Sequence, residues 1–165
     1  MSDVGIQVLD NYDVSKNLTM GIGGNVRHFI SIENEKQLVT AHQYIKDKGL
    51  DYLVLGGGSN LIIADEGYNG VVLHILINGI DKISQNKSYV LLNVSAGVLW
   101  EEFVNYTLEN KLWGAENLTL IPGSVGACPV QNVGAFGQEV KNIIASVRCY
   151  DTQTTSFVEI ENRDC

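Results

Sequence analysis

The apolar and polar positions in the first half of the chain predict strands around one helix. Short apolar runs bounded by turn residues are typical of strands, and four are present: 27–32, 52–55, 61–64 and 71–76. Between the first two, apolar residues recur at helical spacing from Leu38 to Ile45. Asn34 is a suitable N-cap, and Gly49 suits the position after the helix. We expect a β-α-β unit followed by two strands, with residues 1–17 as an arm.

The second half predicts one amphipathic helix among strands, and a long loop. Strands are expected near residue 80 and over 89–94, 140–150 and 155–160. One helical face carries Trp100, Phe103, Val104, Thr107 and Leu108. The loop covers residues 121–137. Because the pattern changes near residue 78, we expect two lobes, 1–77 with the β-α-β unit and 78–165 with an α+β arrangement.

Composition and charge exclude several classes of protein. Of the 165 residues, 45% are hydrophobic and 18% charged, which is sufficient for a packed core. A net charge of −8 without a cluster of Lys or Arg argues against nucleic-acid or anionic-membrane binding. The longest apolar stretch is too short to span a membrane. Three widely spaced cysteines predict a reducing cytoplasm and no metal site.

Three consecutive glycines after the 52–55 strand form a candidate phosphate cradle. The segment is Leu55, Gly56, Gly57, Gly58, Ser59 and Asn60. Without Cβ atoms, successive N–H groups can converge on an anion, and the Ser and Asn side chains add donors. The dinucleotide fingerprint fails because its third glycine position is Leu61, and a P-loop fails because no Lys is present. A strand–loop–strand phosphate cradle remains, beside the alternative of a tight turn without a ligand.

A second glycine-rich loop lies about seventy residues further along the chain. It combines spaced glycines, small side chains, two prolines and a Gln-Asn pair. Such a loop presents rigid backbone to a flat or extended ligand, and the amides can reach the polar edge of a heterocycle. The alternative is a buried irregular loop whose amides satisfy its own backbone. Two loops of this kind favour one long ligand that touches both.

These motifs, in this order, resemble a known family. The segments 17–24, 55–60, 121–126 and 129–137 are similar to those of the UDP-N-acetylenolpyruvoylglucosamine reductases. The resemblance covers nearly the whole chain. It implies an α+β, two-lobed FAD-binding domain of the vanillyl-alcohol-oxidase (PCMH) type.

The resemblance also implies cofactors, substrate and site residues. FAD would bind without a covalent link, with its diphosphate on residues 55–60. The second loop would line the isoalloxazine and the neighbouring phosphate through Pro122, Gly123, Ser124, Gly126, Ala127, Cys128, Gln131, Asn132, Gly134, Phe136 and Gly137. NADPH would deliver a hydride to the flavin, which passes it to the enolpyruvyl ether of a UDP-sugar to give UDP-N-acetylmuramate for peptidoglycan. The resemblance further implies a cytoplasmic monomer.

The sequence departs from the family in three places. Cys128 stands where a hydroxyl side chain is common, and Phe136 stands where Tyr is common. The Arg, Ser and Glu that the family uses in catalysis have no counterpart here, so we expect an N-terminal fragment without the substrate domain and assign no catalytic residue. Two alternatives stay open: another FAD oxidoreductase of the same fold, such as a hydroxy-acid or sugar-lactone oxidase, and a non-catalytic nucleotide-binding module.

Overall fold

The computed structural model describes residues 5–165. The chain divides into two units, Met1–Asn78 and Gly79–Cys165. This division falls one residue after the boundary expected between residues 77 and 78.

The first unit is a four-stranded sheet with one helix. Its elements are β1 (Val8–Asp13), β2 (Asn25–Ile32), α1 (Glu35–Lys48), β3 (Tyr52–Leu55) and β4 (Tyr68–Ile75). The strand order is β1-β2-β4-β3. Strands β2, β4 and β3 run parallel, whereas β1 is antiparallel to β2 at one edge. The predicted β-α-β unit is therefore present, with β4 between its two strands.

Local hydrogen bonds explain where α1 begins and ends. The Asn34 side-chain oxygen accepts a hydrogen bond of 3.0 Å from the Gln37 N–H, and the Gln37 side chain accepts one of 2.7 Å from Glu33. The main-chain N–H groups of Glu33 and Gln37, at the start of α1, thereby have hydrogen-bond partners. Gly49 has a φ of 58° and ends the helix in the left-handed conformation. Both predicted ends of the helix are confirmed.

Each face of the sheet is covered by a separate hydrophobic core. On one face, α1 packs on strands β2 and β4 through Ile30, Ile32, Ala41, Ile45, Val71 and Leu73. On the other, residues 14–18 and the loop around Ile63 pack on the sheet, and this core contains Val14, Leu18, Val26, Phe29, Leu55, Ile63 and Val72. Leu55, the last residue of β3, is 2% exposed, so this core fixes the end of the strand.

Two expectations for this unit are wrong. Residues 1–17 were expected to form an arm, but residues 8–13 form β1. Residues 1–4 of the expected arm lie outside the described part of the chain. Tyr12 stacks on Phe29 at 4.3 Å between ring centroids, so the segment belongs to the sheet. Residues 61–64 are irregular instead of a strand. Their apolar character is explained by Ile63, which fills the core from a loop, and the carbonyl of Ala64 accepts from the Gly24 and Gly67 N–H groups.

Gly58 is required by the packing of the chain on itself. Its φ is +71°, and a Cβ there would lie 2.0 Å from the main-chain oxygen of Asn17. The Thr19 N–H also donates to the Gly58 carbonyl at 2.9 Å. Residues 17–19 therefore lie directly against the triglycine loop. This contact, which needs no ligand, is sufficient to explain one of the three glycines.

The second unit consists of hairpins and one longer helix. Its elements are β5 (Ile80–Gln85), β6 (Val90–Val94), α2 (Trp100–Glu109), α3 (Cys128–Gln131), β7 (Gly134–Ala135), β8 (Gln138–Glu139), β9 (Ser146–Asp151) and β10 (Ser156–Glu161). Strands pair only within the antiparallel hairpins β5–β6, β7–β8 and β9–β10 in the part of the chain that the structure describes. The strand expected over 140–150 begins later, because residues 140–142 form a 3-10 turn.

The core of the second unit is built around Trp100. This side chain is 2% exposed, and its indole N–H donates to the Leu118 carbonyl at 2.7 Å. The other tryptophan, Trp113, is 78% exposed. Cys128 lies in the same core as Trp100 and is 3% exposed. Burial raises the pKa of the Cys128 thiol to about 12, so the group is protonated at neutral pH.

We predict that Gly58→Ala destabilises the first unit much more than Gly21→Ala does. Gly21 has a similar φ of +64°, but its Cβ would meet nothing within 4 Å. Gly21→Ala should therefore cost only the left-handed conformation, about 1 kcal/mol. The clash at Gly58 should bring the loss to about 3 kcal/mol or more. Both tryptophans lie in the second unit, so unfolding in urea should be followed by hydrogen exchange of β2 and β4. Equal losses would contradict the prediction.

The second prediction concerns the three thiols, which are all free. At pH 8 a thiol with a pKa near 12 is ionised in roughly one molecule in ten thousand, and only the thiolate reacts. Exposed Cys165 should react at once with a disulfide reagent, half-buried Cys149 more slowly, and Cys128 only after unfolding. Peptide mapping after timed labelling measures the order. Rapid labelling of Cys128 in the folded protein would refute the placement of its side chain.

Candidate functional site

The triglycine loop leaves the sheet at the carboxyl end of β3. In parallel α/β sheets this is the edge at which ligands bind. Gly58 is buried, while Gly56, Gly57 and Ser59 are half-buried and Asn60 is exposed. Leu55 anchors the loop in the core. The loop is therefore fixed at its base and open at Asn60.

His74 lies at the same edge of the sheet as the triglycine loop. It is the parallel partner of Leu55 in the adjacent strand β4, and its ring centroid is 5.6 Å from that of Phe29. Partial burial lowers the pKa of His74. At neutral pH the imidazole is therefore mostly uncharged, so an anion held here would be bound by neutral donors.

Asn17 lies against the triglycine loop but was not among the predicted site residues. It ends the 3-10 turn Val14–Asn17. Within residues 5–165 its side-chain oxygen is buried and has no hydrogen-bond partner. The only sequence signal for Asn17 was its position at the start of the 17–24 motif, because no local pattern shows which distant loop a residue will contact.

The second loop begins with a segment that pairs with residues 96–100. Ser124 forms an antiparallel bridge with Leu99. The Val125 N–H donates to the Val98 carbonyl at 2.8 Å, and the Trp100 N–H donates to the Gly123 carbonyl at 3.0 Å. This part of the loop is therefore held by backbone hydrogen bonds and is rigid enough to present its atoms to a ligand.

Gly126 is another glycine that the chain needs for its own packing. A Cβ at this position would lie 2.6 Å from the Cβ of Ala96. The Gly126 N–H already donates to the Ala96 carbonyl at 2.9 Å. Gly126 therefore allows the chain around Ala96 to approach the second loop closely, and its N–H group is already hydrogen-bonded.

Ser124 combines deep burial with an unsatisfied hydroxyl. It is 2% exposed, and its Oγ has no hydrogen-bond partner in the described part of the chain. Its carbonyl accepts from the Ala127 N–H at 3.0 Å and from the Cys128 thiol at 3.4 Å. Buried hydroxyls are nearly always paired, so the Ser124 hydroxyl is available to a further hydrogen-bond partner.

The side chain of Cys128 does not face a ligand. It points into the core beside Trp100. The neighbouring positions are more open: Ala127 is half-buried, and Pro122 and Gln131 are exposed. Any contribution of Cys128 to a ligand site comes from the position of its backbone.

The Asn132 amide holds the hairpin β7–β8 in place. Asn132 ends α3 in the left-handed conformation. Its Nδ2 donates to Glu139 at 2.8 Å, and its Oδ1 accepts from the Lys141 N–H at 3.4 Å. Glu139 also forms an ion pair with Lys141, and the hydrogen bonds from Lys141 and Asn132 lower the pKa of this carboxyl. The Asn132 side chain thus acts as a brace for the hairpin.

Phe136 is displayed at the tip of this hairpin. Phe136 and Gly137 have φ values of 52° and 79°, as in the tight turns that favour Asn-Gly. For a bulky residue the left-handed conformation is strained, and Phe136 is also 94% exposed. A strained and solvent-exposed aromatic side chain on a braced hairpin is well suited to stack on a flat ligand.

A separate cavity of about 680 Å³ opens in the second unit. Its walls are β6, one side of α2 and the segment 142–145. Among the predicted site residues it touches only Cys128. The cavity is therefore a different feature from the candidate cofactor loop.

Over residues 5–165 no group of three or more His, Cys, Asp and Glu side chains is placed to hold a metal ion. The helices in the same range are all too short or too polar to cross a membrane.

The chain matches a known protein family and is similar to curated proteins. The family described as "FAD binding domain" matches residues 26–160. The UDP-N-acetylenolpyruvoylglucosamine reductase of Neisseria meningitidis serogroup B (strain MC58) is 42% identical over 153 residues, which cover 93% of this chain and 44% of the relative. The chain thus spans less than half the length of this curated relative.

Solved structures show the same fold. The reductase of this name from Thermus caldophilus (MurB) superposes with a TM-score of 0.72 at 24% identity, over 96% of this chain and 53% of that one. A p-cresol methylhydroxylase superposes with a TM-score of 0.61 at 15% identity, over 93% of this chain and 29% of that one. The predicted α+β fold of the vanillyl-alcohol-oxidase (PCMH) type is confirmed. With a family match across four fifths of its length and both glycine-rich loops, the chain belongs to the FAD binding domain family.

Proposed function

We propose that this chain is the FAD-binding part of a UDP-N-acetylenolpyruvoylglucosamine reductase. The observation that carries the proposal is the pair of glycine-rich loops inside the matched range 26–160, together with 42% identity to a reductase of that name. Because the chain spans 44% of that relative, the activity, substrates and partners of the whole protein are part of the proposal.

The residues of both loops suit FAD. Gly56 to Asn60 would hold the diphosphate at the open edge of the first sheet, where neutral donors suffice. Ser124 would offer its unpaired hydroxyl after a small rearrangement, and Phe136 would offer an aromatic face. The protonated thiol of Cys128 and the partly buried ring of His74 support binding without a covalent link.

The chemistry that FAD supplies when bound is hydride transfer, here from NADPH to the enolpyruvyl ether of a UDP-sugar. The residues described here would bind and orient the cofactor. The carbon opposite hydride delivery also needs a proton donor, and we assign that role to no residue of this chain. A cytoplasmic location and a monomeric state, both implied by the resemblance, stay predictions.

We also propose that the second lobe is completed by sequence outside these 165 residues. Two-stranded hairpins are marginally stable alone, and β5–β6 and β9–β10 are separate sheets. The cavity of about 680 Å³ has β6 as one wall and the residues just before β9 as another. An extended segment placed there could pair with β6 and cover the exposed side chain of Trp113.

The alternative, another flavin oxidoreductase of the same fold, is supported by the likeness to p-cresol methylhydroxylase, which concerns the fold alone. An assay of the full-length protein separates the two. A reductase should oxidise NADPH only when the UDP-linked enolpyruvyl sugar is added. Oxygen uptake with a hydroxy acid or a sugar lactone, without NADPH oxidation, would favour the alternative.

The next prediction tests the diphosphate cradle. Asn60→Asp places a negative charge at the exposed end of the loop and should weaken FAD binding about tenfold or more. Asn69→Asp makes the same change at an exposed position of β4 and should have little effect. Both affinities are measured by flavin fluorescence titration. Equal affinities for the two variants would remove Asn60 from the site, and a chain that binds ATP but not FAD would favour a general nucleotide-binding module.

A further prediction concerns Phe136. Phe136→Asn relieves the strain of the left-handed conformation, so the variant should be as stable as the wild type or up to about 1 kcal/mol more stable. It also loses the ring, so FAD should bind several-fold more weakly. Phe136→Tyr keeps the ring and should keep the affinity. Thermal unfolding and FAD titration measure the two effects, and unchanged FAD affinity in Phe136→Asn would contradict the stacking role.

A further inference from the structure

Asn17 has a buried hydrogen-bond acceptor whose partner is missing. In the described residues its Oδ1 is almost completely enclosed and has no partner. Folded proteins rarely leave such an atom unpaired, because desolvation is then uncompensated. The missing donor must come from a water molecule, from a ligand or from a rearrangement of a neighbouring segment.

The neighbouring segment is the triglycine loop. The Asn17 main-chain oxygen lies where a Cβ on Gly58 would be, at 2.0 Å from that position. Two residues on, the Thr19 N–H donates to the Gly58 carbonyl at 2.9 Å. Leu18 is 6% exposed in the same core cluster as Leu55. Asn17 is therefore fixed in place beside the loop.

The chemistry of the ligand decides which donor is possible. A diphosphate is fully ionised or nearly so at neutral pH and accepts hydrogen bonds, so it offers no proton to the Asn17 oxygen. The oxygen is also enclosed by protein, which keeps a ligand from reaching it directly. The segment that lies against the Asn17 backbone is the loop around Gly58, and the main-chain N–H groups of residues 56–60 are donors of the right kind, which the anion would draw into a convergent arrangement.

We propose that Asn17 is a positioning residue that accepts a hydrogen bond from a main-chain N–H of residues 56–60 when this loop closes on the diphosphate of FAD. The inference rests on the proposed function. The bond is absent from the ligand-free chain and forms on binding, so it contributes to affinity for the cofactor and not to the stability of the free protein.

Two variants of the 165-residue chain test this role. Asn17→Ala removes the acceptor, and Asn17→Leu removes it while keeping most of the volume. Without FAD, both should unfold at the wild-type urea concentration, because no existing hydrogen bond is lost. Both should bind FAD about tenfold more weakly, and inorganic diphosphate should raise their melting temperature less than it raises that of the wild type. Asn93→Ala, at an exposed position of β6, should change neither property.

The outcomes separate this inference from the proposed function. If the wild type binds FAD and both variants bind it equally well, the role of Asn17 is wrong and the proposed function stands. If both variants lose stability without FAD, the Asn17 side chain already has a hydrogen-bond partner in the free protein, and the role is again wrong. If the wild type binds neither FAD nor diphosphate, the proposed function and the role of Asn17 both fall.

Discussion

The contact between residues 17–19 and Gly58 determines the shape of the first loop. A single additional carbon atom at Gly58 would collide with the Asn17 backbone, and the hydrogen bond from Thr19 ties the two segments together. The same residues close one core through Leu18. Since the sheet places the start of the loop and this segment places its middle, these two points are fixed before any ligand arrives, and only the N–H groups around them have to converge on an anion, which lowers the entropy cost of binding.

Much of the fold followed from periodicity, and the failures have physical causes. The helix α1 was predictable because its caps, Asn34 and Gly49, act within a few residues of the helix. The strand expected over residues 61–64 was not formed, because an apolar run satisfies a core equally well from a loop in which Ile63 and Leu61 pack inwards and Ile62 stays exposed. The position of β1 could not be read from the sequence, since Tyr12 depends on Phe29, a partner seventeen residues away.

The candidate site was predicted less completely than the fold. The two glycine-rich loops stay a prediction as a ligand site, and for Gly58 and Gly126 the closest approach is by the chain's own backbone or by Ala96. The approach of a ligand is therefore not the full explanation for these two glycines, because the packing of the chain on itself also requires them. Two side chains also differ from what the sequence predicted. The Asn132 amide braces a hairpin, and Asn17 lies beside the first loop although no local sequence pattern indicates this contact.

The burial of Cys128 has a consequence for the chemistry around it. Reduced flavins that meet oxygen release peroxide, and peroxide oxidises thiolates far faster than thiols. With its pKa near 12 and its sulfur in the core, Cys128 keeps its proton and stays out of reach of the oxidant. A cysteine can thus occupy a loop proposed to bind a flavin without making that loop sensitive to oxidative damage.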